Sequence, residues 1–131
     1  MDRATIMRAV KSKNTGPELI VRRIVHSLGF RFRLHRQDLP GSPDLAFIGR
    51  RKAIFVHGCF WHGHDCPRGA RVPKTNSTYW LAKIARNRER DAAAIERLTA
   101  IGWQIHIVWE CELKDRDKLE RRLRSFLEAS E

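Results

Sequence analysis

The chain has 131 residues, a length that suits one domain around one core. Apolar residues make up 42% of it, which excludes wholesale disorder, and no stretch approaches the ~20 apolar residues of a membrane span. Lysine and arginine number 26 against 15 acidic residues, a net charge of +11 that a fold does not need and a polyanion would explain. The N-terminus, MDRATIMRAV, lacks an apolar run of secretory type, so the reading is cytoplasmic. There, three cysteines argue for free thiols or a metal rather than disulfides.

TGPEL opens a helix, with Thr15 as N-cap, Pro17 in the first turn and Glu18 completing a capping box. Ile20, Val21, Ile24, Val25 and Leu28 form its apolar face, and Gly29 ends it. FRFRLH alternates Phe30, Phe32 and Leu34 with Arg31, Arg33 and His35, the pattern of a half-buried strand with a basic outer face. DLPGSPD is turn chemistry. DLAFIG and KAIFVH then read as a hairpin. A turn at Arg50 and Arg51 pairs Gly49 with Lys52 and, further down, Asp44 with His57, their Cβ atoms about 5 Å apart.

Residues 58–76 read as an irregular loop. A long helix is expected from Thr78 to Ile101, closed by Gly102. WQIHIVWE reads as a central strand with Cys111 just past its end. DRDKLERRLRSFLEAS is a last amphipathic helix with Leu119, Leu123, Phe126 and Leu127 inward. The order of elements predicts an α/β fold, a mixed sheet flanked by helices, in a single domain spanning residues 1–131.

Cys59, His64 and Cys66 lie close in one loop, and Cys111 can reach them from the strand end. Together they make a closed four-ligand set for a structural Zn²⁺ that would staple the loop. The competing reading is three buried thiols. His57 and His62 are left spare by that assignment.

On a helical wheel of about 100° per residue, Trp80, Ile84, Asn87, Asp91, Ile95 and Leu98 share one stripe of the long helix. A carboxylate inside an apolar stripe needs a partner, either an arginine or a histidine imidazole. Asp44, which follows Pro43 at the head of a strand, suits a hard cation such as Mg²⁺. It would equally suit a turn cap. Glu18 has a capping role sufficient in itself, yet lies at the edge of its apolar face. Phe60 and Trp61 are adjacent in the loop and Trp80 begins the next helix; they either roof the loop or stack on bases.

LPGSPDLAF, AIFVHGCFWHGHDC, YWLAKIARNRERD and GWQIHIVWEC, in that order, resemble the very-short-patch repair (Vsr) mismatch endonucleases along nearly the whole chain. The resemblance implies a restriction-endonuclease-like fold with a structural zinc loop. It implies a Mg²⁺-dependent endonuclease that nicks one DNA strand beside the T of a T:G mismatch. In that reading Asp44 is the Mg²⁺ carboxylate, joined by the main-chain carbonyl of Val56. His57 and His62 surround the attacked phosphate, Asp91 orients a histidine, and Glu18 bonds to metal-bound water. Cys59, His64, Cys66 and Cys111 hold Zn²⁺. Phe60, Trp61 and Trp80 intercalate, with Asn87 among the DNA contacts. Gly63 and Asp65 stand where some members carry histidines, and neither is assigned chemistry here. The expected partner is mismatched duplex DNA, bound by a monomer associated with the nucleoid. The competing readings are a nuclease of the same fold with another DNA substrate and a zinc-stapled DNA-binding module without catalysis.

Overall fold

The computed structural model describes residues 16–62, 64, 66 and 75–129. Helix α1 spans Gly16–Ser27, and strand β1 is only Arg33–Leu34. Strand β2 is Leu45–Phe47, followed by a 3₁₀ turn at Ile48–Arg50 and strand β3, Lys52–His57. The long helix α2 covers Ser77–Ala100. Strand β4 is Gln104–Trp109, and a second 3₁₀ turn, Glu110–Lys114, leads to α3, Arg116–Glu128. Thr15, the expected cap of α1, lies outside the described residues.

The four strands form one mixed sheet in the order β1-β2-β3-β4, antiparallel except for the parallel β3–β4 pair. One core joins Val21 and Val25 of α1 and Leu119, Leu123 and Leu127 of α3 to Leu45, Phe47, Ile54 and Val108 of the sheet. A second joins Leu98 of α2 to Ala53 and Phe55, with Ile105 and Ile107 packed beside them. The sheet therefore lies between α1 with α3 and α2, which is the expected class.

Three expectations are corrected. The hairpin pairs Leu45 with Ile54 and Phe47 with Lys52, so its register sits two residues from the expected one. The loop is longer than a two-residue turn because Ile48–Arg50 coil into 3₁₀ geometry, and Arg51 closes it in the left-handed region at φ 53°. A slip of two keeps every side chain on its face. Among the described residues β4 is an edge strand, since the connection through α2 lays it outside β3 and not between strands. The stretch FRFRLH pairs over two residues only: Phe30 and Phe32 pack on the core from irregular backbone, Leu34 is 40% exposed, and His35 turns inward.

Two local features fix how the helices sit on the sheet. Gly41 in the DLPGSPD turn has φ +76°, and a Cβ there would stand 2.5 Å from the Cβ of Ala94. Only glycine lets the turn approach α2 so closely. Lys52 is 1% exposed, and its Nζ donates to the carbonyls of Phe126 and Ala129, each at 2.5 Å. It satisfies the last carbonyls of α3 and sits at the favourable end of that helix's dipole. Among the described residues no helix is long and apolar enough to cross a membrane.

Candidate active site

β3 ends at His57, and the chain then folds back on itself: the N–H of His62 donates to the carbonyl of Gly58 at 3.2 Å. The return stacks the two imidazoles, centroids 3.8 Å apart and planes 2° apart. Asp91 of α2 faces both. Its Oδ2 lies 2.6 Å from His62 Nδ1, and its Oδ1 lies 3.9 Å from His57 Nε2. Of the two partners left open for the carboxylate in the stripe of α2, the histidine is the one found. Burial, followed by the neighbouring His62, lowers the His57 pKa to about 4 against the pull of Asp91.

Asp44 opens the same cleft, a cavity of about 350 Å³ whose walls include Gly41, His57, His62, Asn87 and Asp91. Its Oδ2 accepts from the Val56 N–H at 2.7 Å. Burial pushes the Asp44 carboxyl up to about 7, opposed by that N–H and reinforced by Glu18. Glu18, expected at the edge of its helix face, is 2% exposed. It pairs with Arg22, and His35 Nε2 lies 3.0 Å from both its oxygens. Burial works against its charge, yet hydrogen bonds from His35 and Asp44 and the charges of His35 and Arg22 prevail, holding the Glu18 pKa below the usual carboxylate value.

The loop beyond His57 carries the sulfur cluster. One donor atom each from Cys59, His64, Cys66 and Cys111 falls within 4.8 Å of the others. Cys111 Sγ and His64 Nδ1 are 3.6 Å apart, and the Cys111 N–H donates to Cys59 Sγ at 3.3 Å. A tetrahedral ion with bonds of about 2.3 Å to sulfur sets ligands about 3.8 Å apart, so these four donors fit one. Burial raises the Cys59 thiol pKa to about 12 against the Cys111 N–H, with Cys66 and Cys111 adding to the rise. A cation among the sulfurs would reverse that shift. His64 also stacks on Trp109 at 4.2 Å, so the cluster is braced against β4.

Phe60, Trp61 and Trp80 meet edge to face, centroids 5.1–5.7 Å apart. They are half-buried, and Lys83 Nζ stands 5.1 Å over the Trp61 ring. Asn87 donates to the Trp61 carbonyl at 2.7 Å and so ties the aromatic loop to α2. Every site residue expected from sequence thus lies along one end of the sheet. The alternation of FRFRLH assigns His35 to the outer face, and the sequence reading does not single out Lys83. Lys83 shares the stripe spacing of Trp80 and Asn87 and was findable on a helical wheel; His35 had no comparable signal.

A family model described as DNA mismatch endonuclease Vsr matches residues 1–68. A type II nicking enzyme of Xanthomonas oryzae, V.XorIIP, is 53% identical over 98% of this chain and 93% of its own. A type II nicking enzyme of Neisseria meningitidis, V.NmeAIP, is 40% identical over 97% of this chain and 93% of its own. The DNA mismatch endonuclease Vsr of Escherichia coli is 43% identical over 89% of this chain and 74% of its own. With over half its length matched by that model and relatives aligned nearly end to end, the chain belongs to the Vsr DNA mismatch endonuclease family.

Proposed function

We propose that this protein is a Mg²⁺-dependent DNA endonuclease that nicks one strand beside the T of a T:G mismatch. The observation that carries the reading is the single cleft in which Asp44 opposes the stacked His57–His62 pair braced by Asp91. Two relatives named as nicking enzymes and one named as a mismatch endonuclease support the same chemistry.

Asp44 and the Val56 carbonyl would hold Mg²⁺, with Glu18 beside them. When bound, the ion polarises a phosphoryl oxygen and neutralises charge that develops in hydrolysis. The remaining work falls to side chains. With Nδ1 donating to Asp91, the neutral His62 ring carries its lone pair on Nε2, where it can take a proton from the attacking water. His57, buried and neutral, closes the other wall against solvent. Phe60, Trp61 and Trp80 offer flat faces to bases beside the cut, and Lys83 a positive charge. Cys59, His64, Cys66 and Cys111 would hold structural Zn²⁺, fixing the loop that carries both His62 and the aromatics.

The test is nicking of a labelled duplex with Mg²⁺. The T:G duplex is cut on one strand and its matched counterpart is not, and Asp44→Ala abolishes cutting while duplex binding survives. Equal cutting of matched and mismatched duplex would point to a nuclease of other specificity. Salt-sensitive binding without cleavage by any divalent ion would point to a binding module.

A further inference from the structure

His35 joins Asp44 in the cleft wall to the buried Glu18 behind it, a link that no sequence pattern carries. Its ring Nε2 stands 3.0 Å from each oxygen of Glu18. Its backbone N–H donates to the Asp44 carbonyl at 3.3 Å. Its backbone is left-handed at φ 47°, a strained conformation for a non-glycine residue that persists only where the surroundings hold it. Here the bend swings the imidazole off the sheet surface toward Glu18. One donor atom each from Glu18, His35 and Asp44 lies within 4.8 Å of the others. The Val56 N–H holds Asp44 Oδ2, and Asp44 also hydrogen-bonds Glu18, so its carboxyl group faces the other two.

An octahedral ion with bonds of about 2.1 Å sets neighbouring ligands about 3.0 Å apart, which is the His35–Glu18 separation. The charge balance bears on which ion suits the site. Glu18 and Asp44 bring two negative charges and Arg22, paired with Glu18, returns one positive. Pure charge therefore attracts a hard ion weakly, and the donor types decide more of the affinity. Mg²⁺ is held by oxygen and parts reluctantly with its waters, whereas an imidazole nitrogen among the ligands favours first-row divalent ions over it, with Mn²⁺ the most weakly held of that row.

The geometry points to His35 as a direct nitrogen ligand of the divalent ion at Asp44, making a mixed nitrogen–oxygen site that takes Mn²⁺ in preference to Mg²⁺. The inference rests on the metal reading of Asp44 under Proposed function and adds a ligand and an ion preference to it. The alternative is that His35 only donates a hydrogen bond to Glu18.

Pulsed electron paramagnetic resonance on zinc-replete protein with Mn²⁺ alone separates the two. The expected spectrum shows nitrogen coupling from a directly bonded imidazole, and it changes when histidine is labelled with ¹⁵N, a readout that needs no substitution. The coupling vanishes in His35→Gln and persists in His62→Gln. Displacing Mn²⁺ takes more than about a tenfold excess of Mg²⁺ in the unsubstituted protein and less in His35→Gln. Unchanged zinc content and melting temperature show that His35→Gln is folded. Mn²⁺ bound without nitrogen coupling, or coupling that survives His35→Gln, overturns the inference and leaves the metal reading standing. Mn²⁺ binding that Asp44→Asn does not weaken, or none in the unsubstituted protein, overturns both.

Discussion

His62 Nδ1 and Asp91 Oδ2 stand 2.6 Å apart, bridging a loop and the middle of a long helix across 29 residues of sequence. In the neutral ring the carboxylate draws the proton to Nδ1 and so leaves the lone pair on Nε2. Asp91→Asn keeps the shape and loses the charge. Its single-turnover nicking rate on T:G duplex should fall by about 10²–10⁴, the usual contribution of a positioned acid–base group. Duplex affinity should change little. An unchanged rate would remove Asp91 from the chemistry.

The aromatic trio is a continuous surface, not three separate contacts. Trp61→Ala or Trp80→Ala should each weaken binding of T:G duplex by about 1–3 kcal/mol, the worth of one stacked base. The rings touch, so the double variant should lose less than the sum. Fluorescence anisotropy at fixed ionic strength measures both, and full additivity would show that the rings act independently.

Cys111 comes from the turn after β4 to meet Cys59 and His64. Metal analysis of the purified protein should find about one zinc per chain. Cys111→Ala should lower that content and the melting temperature together, and raise the reactivity of Cys59 toward thiol reagents. If zinc content and melting were untouched, Cys111 would not be a ligand.

Lys52 is buried, and its Nζ is held by carbonyls at the end of α3. Lys52→Met should cost about 1–3 kcal/mol of stability in urea unfolding, because those carbonyls lose their donor. Nicking per folded molecule should not change, since α3 lies across the sheet from α2. A loss of activity without a loss of stability would contradict the capping role.

Much of the site was legible because short spacing carried it. Cys59, His64 and Cys66 belong to one loop, and the stripe of α2 alone places Asp91 on the face toward the sheet, where it is half-buried. The observed register differs from the expected one in a way that spares the site. A slip of two residues left Asp44 on the face of His57, while a slip of one would have separated them. His35 was the real omission. An alternating run puts it outside, and only the left-handed bend after a strand that stops early turns it in.

Local periodicity and turn chemistry were enough to determine the helices, the KAIFVH strand and the grouping of Cys59, His64 and Cys66 in one loop, because each depends on neighbours along the chain. The tertiary structure alone decided the place of β4 at the sheet edge, the amide of Val56 as the partner of Asp44, the inward turn of His35 and the burial of Lys52. Those outcomes depend on strand order, on the geometry of a three-residue 3₁₀ turn and on which helix end meets which strand. They are contacts between segments far apart in sequence, and residue spacing carries no record of them.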